Sequence, residues 1–90
     1  MEKNEVSAHE ARFYAYVKQS GGAWRTAREL AAGAKVAERT ARAYAHKLVE
    51  LGVLDVAEVF PAHRYRFSGK AGKRNKAYVL RLDHAVEVFT

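Results

Sequence analysis

Ninety residues leave room for one domain around one small core. The 49% hydrophobic fraction is rich in alanine, so that core must lean on Phe, Tyr, Leu and Val. Sixteen Lys+Arg against ten Asp+Glu give a net charge of +6, which points to an anionic partner, and the absence of cysteine excludes disulfides, zinc knuckles and thiol chemistry.

Residues 1–6 read as a disordered polar tail and 7–90 as the folded domain. The N-terminus lacks the apolar centre of a signal peptide and no run approaches a membrane span, so a cytoplasmic chain with no membrane partner is expected. Ser7 and Glu10 stand in capping-box relation and open a first helix. Phe13 and Val17, flanked by Tyr14 and Tyr16, give it an apolar side, and Ser20-Gly21-Gly22 ends it. Ala23-Trp24-Arg25 suits a short strand. Trp24, the largest apolar group, is expected over the core edge, with a surface or DNA-backbone role as the alternative.

Thr26 and Glu29 form a second capping box before Ala27–Ala32, where Leu30 and Ala31 point inward. Gly33-Ala34-Lys35-Val36 makes a turn, and a longer helix follows over Val36–Leu51. Ala41, Tyr44, Leu48 and Leu51 fall on one apolar stripe of that helix. Its other face carries Arg39, Thr40, Arg42, Ala43, His46 and Lys47, with Glu38 and Glu50 near the ends and Gly52 as the cap. Such a helix suits a DNA major groove, whose width admits a helix and whose acceptors arginine reads well.

After Gly52 the period changes. Val53, Leu54, Val56 and Val59 suit a strand, and Phe60-Pro61-Ala62 a turn. His63–Phe67 alternates, placing Tyr65 and Phe67 on one face and Arg64 and Arg66 on the other. Ser68–Lys76 reads as a basic loop and Ala77–Leu82 as a further strand, with Tyr78, Leu80 and Leu82 on one face. Asp83 suits the cap of a terminal turn or short helix bearing Ala85, Val86 and Phe89. No acid lies between Val59 and Leu82, while Arg64, Arg66, Lys70, Lys73, Arg74, Lys76 and Arg81 do. On a strand–loop–strand hairpin these form a positive lobe fit to track a phosphate backbone.

The order helix, short strand, helix, turn, helix, basic hairpin resembles the winged helix-turn-helix family of prokaryotic DNA-binding proteins. Arg28-Glu29-Leu30-Ala31, Val36–Arg42, Leu48 and Gly52-Val53-Leu54 are similar to the core of GntR-type and DeoR-type regulators. The resemblance implies an α+β fold: a three-helix core, a short strand after the first helix, a basic β-hairpin wing and a short C-terminal helix. It implies sequence-specific binding of double-stranded DNA by a small prokaryotic, phage or plasmid transcription regulator associated with the nucleoid. Glu38, Arg39, Thr40, Arg42, Ala43 and His46 would face the major groove, with Lys47 beside them. Lys35, Arg64, Arg66, Lys70, Lys73, Arg74 and Lys76 would hold the backbone or minor groove from the turn and the Ser68–Lys76 wing. Three positions depart from the pattern: Ala37 replaces a capping serine, Lys35 a turn glycine and Ala41 a larger aliphatic residue.

One such module has a small footprint, which favours a homodimer on a palindromic site. Tyr14 or Tyr16 and the Val86–Phe89 segment are the surfaces it could use, unless they are ordinary core. Two other readings remain: a winged-helix protein-interaction module in a nucleoprotein assembly, and RNA or single-stranded DNA binding through His63, Tyr65 and Phe67. No enzyme activity is expected. His9, His46, His63 and His84 are scattered without metal-ligand spacing, Glu38 and Glu50 have no relay partner, and Gly69-Lys70-Ala71-Gly72-Lys73 lacks the context of a phosphate-binding loop. No cofactor, metal or small-molecule effector is expected.

Overall fold

A computed structural model describes residues 6–89, without the side chains of residues 72 and 74. The expected tail therefore falls outside the described residues, apart from Val6, which packs against the core. The elements run α1 (Ala8–Gln19), β1 (Arg25–Thr26), α2 (Ala27–Ala34), α3 (Glu38–Glu50), β2 (Leu54–Ala57), β3 (Arg64–Phe67), α4 (Ala71–Arg74) and α5 (Lys76–Phe89). The sheet is antiparallel in the order β1-β3-β2, so β2 and β3 form a hairpin and β1 pairs with the far side of β3. This is the α+β winged helix-turn-helix architecture.

Local chemistry sets the helix ends. Ser7 Oγ accepts from the Glu10 N–H at 3.1 Å, but the Glu10 carboxylate turns into the core instead of completing the capping box. At α2 the box is complete: the Glu29 N–H donates to Thr26 Oγ1 at 3.2 Å, and the Thr26 N–H donates to Glu29 Oε1 at 2.8 Å. That backbone bond, with Arg25 and Arg64 nearby, holds the Glu29 carboxyl below its ordinary pKa. Lys35 ends α2 in the left-handed region, φ 58° and ψ 46°, where glycine is at home and a Cβ is strained. Gly33 serves a different purpose: an added methyl there would overlap the Tyr16 ring, which lies against α2.

Phe13, Tyr14, Val17, Leu30, Leu48, Val53 and Leu82 are fully buried, and each large aliphatic or aromatic group contributes about 1.5–3 kcal/mol. Ala31, Ala34, Ala41 and Ala45 are also buried, and their small size permits the close approach of α2 and α3. Tyr44 is only half-buried: its ring packs on Phe13 at 5.7 Å and its hydroxyl shares a hydrogen bond with Ser7 Oγ.

The chain beyond β3 departs from expectation. Ala77–Leu82 is not a strand but the opening of α5, whose buried residues are Tyr78, Val79, Leu82 and Ala85. The alternation of Tyr78, Leu80 and Leu82 misled because Leu80 points to solvent, 58% exposed. Asp83 is no cap. It sits within α5 and accepts from the Tyr14 hydroxyl at 2.7 Å and from Lys18 Nζ at 3.1 Å. A second polar tie joins α1, α3 and α5: Glu10, 3% exposed, accepts from the Tyr78 hydroxyl and from Lys47 Nζ at 3.1 Å. Burial, then the Asp83 hydrogen bond and charge, push the Tyr14 phenol far above its ordinary pKa. Burial and the bond to Glu10 push Tyr78 up to about 12, against the pull of Lys47. Burial alone would lower the Lys47 pKa, but its hydrogen bonds with Tyr78 and Glu10 outweigh it and the net shift is upward.

Three outcomes follow from these contacts. Lys35→Gly, which removes the left-handed strain, raises stability by about 1 kcal/mol in chemical denaturation. Lys47→Met leaves a buried carboxylate short of its cation and costs about 1–3 kcal/mol, less than a fully buried pair because Lys47 is part-exposed; adding Glu10→Gln restores much of it. Stability also falls with alkali. Unfolded tyrosines release their protons near pH 10 while folded Tyr14 and Tyr78 keep them, so between pH 10 and about 12 the unfolded chain binds fewer protons and is favoured. The slope is up to about 1.4 kcal/mol per pH unit for each tyrosine, and Tyr14→Phe with Tyr78→Phe flattens it in denaturation curves recorded across that range.

Candidate nucleic-acid interface

The rotation of α3 decides what the chain presents. With Ala41, Ala45 and Leu48 buried, helical spacing forces Arg39, Arg42, Ala43, His46 and Glu50 onto the opposite side, and all five are exposed. Arg42 donates to Glu38 at 2.6 Å across one helical turn. Both groups are about half exposed, so this pair is worth at most about 0.5 kcal/mol: it orients the guanidinium without locking it. Thr40 is half-buried on the flank. Lys47 does not join this face, because its ammonium is engaged by Glu10 and lies 5.2 Å from the Tyr78 ring centroid. Ala37 gives the first turn of α3 no side-chain cap, and Lys35 stands exposed at the turn between α2 and α3.

The hairpin that stands beside α3 is β2–β3, and its turn is residues 58–63 rather than Ser68–Lys76. Pro61, Ala62, His63 and Tyr65 share a groove with Glu38, Arg42 and His46 of α3 and with Thr26, Ala27 and Arg28 at the start of α2. The Tyr65 phenol shows the same proximity: burial raises its pKa, the charge of Arg42 lowers it and that of Glu58 raises it. The turn itself carries Glu58, Val59, Phe60 and Pro61, with no lysine or arginine before Arg64.

Ser68–Lys76 is therefore neither a wing nor a free loop. Ser68 donates its N–H to the Val53 carbonyl at 2.9 Å, and the Lys70 N–H donates to Ser68 Oγ at 3.1 Å. Ala71 is buried at the start of α4. Lys70 and Lys73 line a second concavity with Val49 and Gly52, at the C-terminal end of α3 and the base of the hairpin. Lys73 and Lys76 are exposed. The Arg74 side chain lies outside the described residues. The expected basic wing is thus a basic shoulder.

Arg64 and Arg66 lie on the outer face of the sheet, as their alternation requires. Arg64 is exposed. Arg66 donates to Asp55 at 3.2 Å and stacks over Trp24, its guanidinium carbon 4.4 Å from the ring centroid. That stack corrects the expectation for Trp24, which is 38% exposed and sits on the outer sheet face instead of the core edge. Two features of the groove escaped sequence reasoning. Arg28 is exposed one residue before the second partner of the α2 capping box, a spacing that placed it at the helix start. The Phe60-Pro61 turn was legible, but its place at the tip of the wing was not.

Among the described residues no group of His, Asp and Glu could hold a metal ion, and no helix is long and apolar enough to cross a membrane.

No protein-family model matches the chain, and no curated protein matches it. One solved structure is similar in fold: that of BpsR from Bordetella bronchiseptica, described by the mechanism for regulation of its DNA binding by 6-hydroxynicotinic acid. The superposition has a TM-score of 0.65 and covers 99% of this chain and 68% of that one, at 9% sequence identity. At that identity the likeness is one of fold, and it extends over the whole helix–sheet arrangement described above.

Proposed function

We propose that the chain is a module that binds double-stranded DNA for a regulatory purpose, with α3 in the major groove. The observation that carries this reading is the exposed stripe Arg39, Arg42, Ala43 and His46, turned away from the core beside a projecting hairpin. Arg39 and Arg42 supply forked donors for guanine edges, Thr40 and His46 supplement them, and Glu38 can accept from a cytosine amino group while releasing Arg42. Lys35 at the turn, Arg28 at the start of α2, and Lys70, Lys73 and Lys76 on the shoulder contribute sequence-blind contacts to phosphates. Lys47 and Arg66 are assigned to holding the fold instead. That BpsR binds DNA with a similar fold supports the reading.

A homodimer is part of the same proposal. Leu80, Val88 and Phe89 are exposed on α5, at 58, 61 and 51%, and offer apolar surface on an element that carries none of the α3 stripe. A two-fold pair would place two α3 helices on one duplex and double a footprint too small for high specificity alone.

Selecting bound duplexes from a random pool tests both points. The expected product is a pair of inverted half-sites, with log K falling against log[salt] at a slope near −5 on a single half-site and near −10 for the pair, for about six neutralised phosphates per module. Arg42→Ala relaxes preference at one base pair by roughly 1–3 kcal/mol, whereas Lys70→Ala with Lys73→Ala weakens all duplexes alike. A flat salt dependence contradicts the reading, as does preference for single strands.

A further inference from the structure

The tip of the hairpin has no part in the fold and no charge suited to phosphates. Phe60 is 94% exposed and Val59 45%, and neither belongs to the core cluster. Resting on the DNA reading above, we propose that the β2–β3 hairpin is an aromatic wedge: Phe60, backed by Val59 and Pro61, inserts between base pairs beside the groove that holds α3 and bends the duplex there.

Three features support this placement. The turn, residues 58–63, extends past Ala57 and Arg64, the last paired residues of the hairpin, and all six of its residues are exposed. The turn approaches whatever α3 binds, because Pro61, Ala62 and His63 share the groove of Arg42, His46 and Arg28. Arg28 and Arg42, with Arg64 at the start of β3, draw a polyanion to the base of the turn.

The tip itself repels the backbone. Residues 57–62 read Ala-Glu-Val-Phe-Pro-Ala, with one carboxylate and no cation, so the turn cannot act as a phosphate clamp. An apolar ring carried into a duplex by cations at its root has one favourable environment there, the base stack. Aromatic groups stack on any base face, and apolar wedges unstack one step and kink the duplex by roughly 20–90°. Pro61, with its φ fixed by the ring, limits the freedom lost when the tip is immobilised.

The test uses the full chain and a duplex it has selected, carrying donor and acceptor dyes at its ends and 2-aminopurine at successive positions. Wild-type protein is expected to shorten the end-to-end distance and to brighten 2-aminopurine at one step beside the α3 site. Phe60→Ala loses both effects and binds roughly ten-fold more weakly with an unchanged salt slope, since a stacking contact is lost and no phosphate contact. Phe60→Trp retains both. Because Phe60 lies outside the core, Phe60→Ala keeps the wild-type circular dichroism and melting temperature. Duplex binding that is straight, or bent and bright to the same degree with Phe60→Ala, overturns the wedge and leaves the DNA reading standing. If wild-type protein binds no duplex but binds phosphatidylserine vesicles through Phe60, both fall.

Discussion

The packing of Ala41, Ala45 and Leu48 against the rest of the helical core is the constraint on which the remaining structure depends. A helix has one rotation at which these three residues are buried, and that rotation puts Arg39, Arg42 and His46 in solvent. The alanines contribute little transfer free energy of their own. Their value is geometric, since Ala31 and Ala34 of α2 meet α3 with no bulky side chain to hold the axes apart. Leu48 supplies most of the burial, and Phe13 fixes the half-buried Tyr44 at the flank. A cation-bearing helix face is thus exposed because its other face is too closely packed to turn.

The second determinant is polar. α5 could have docked on α1 through apolar contacts alone, yet two hydroxyl–carboxylate bonds specify its register: Tyr14 with Asp83, and Tyr78 with Glu10. Lys47 brings α3 into the second of these, so α5, α1 and α3 share one buried charge. A buried carboxylate is a poor source of net stability but a strong specifier of geometry, because a shifted α5 would leave Glu10 unpaired. This explains why a cation on α3 next to the exposed stripe points inward.

Much of the helical core could be read from residue spacing. The capping pair Thr26 and Glu29 and the arginines of α3 lie where periodicity puts them, and Tyr65 faces inward while Arg64 and Arg66 face out. The wing was misplaced for a physical reason. Six residues from Ala77 to Leu82 satisfy both a period of two and a helical period, and only the burial of Val79 and Ala85 decides between them. Once that segment became a helix, the basic stretch before it could no longer be a hairpin loop, and the short Phe60-Pro61-Ala62 turn took its place. Pairing also lay beyond local spacing. Lys47 and Arg66 look like free cations in sequence, and their partners Glu10 and Asp55 are 37 and 11 residues away. Charge composition reports how many cations a chain has, and tertiary structure reports which of them are spent on the fold.

The resulting surface differs from a rod flanked by a positive finger. Cations gather along α3, at the start of α2 and on the shoulder after β3, while the projecting hairpin ends in an aromatic ring. The DNA reading depends on which residues a duplex touches. Titrating the isotopically labelled chain with its selected duplex and following backbone amide shifts decides this. The largest changes are expected together in residues 38–46 and 58–64, with smaller ones at 70–76 and little at Lys47. Shifts confined to the outer face of α5, or none at α3, would contradict it.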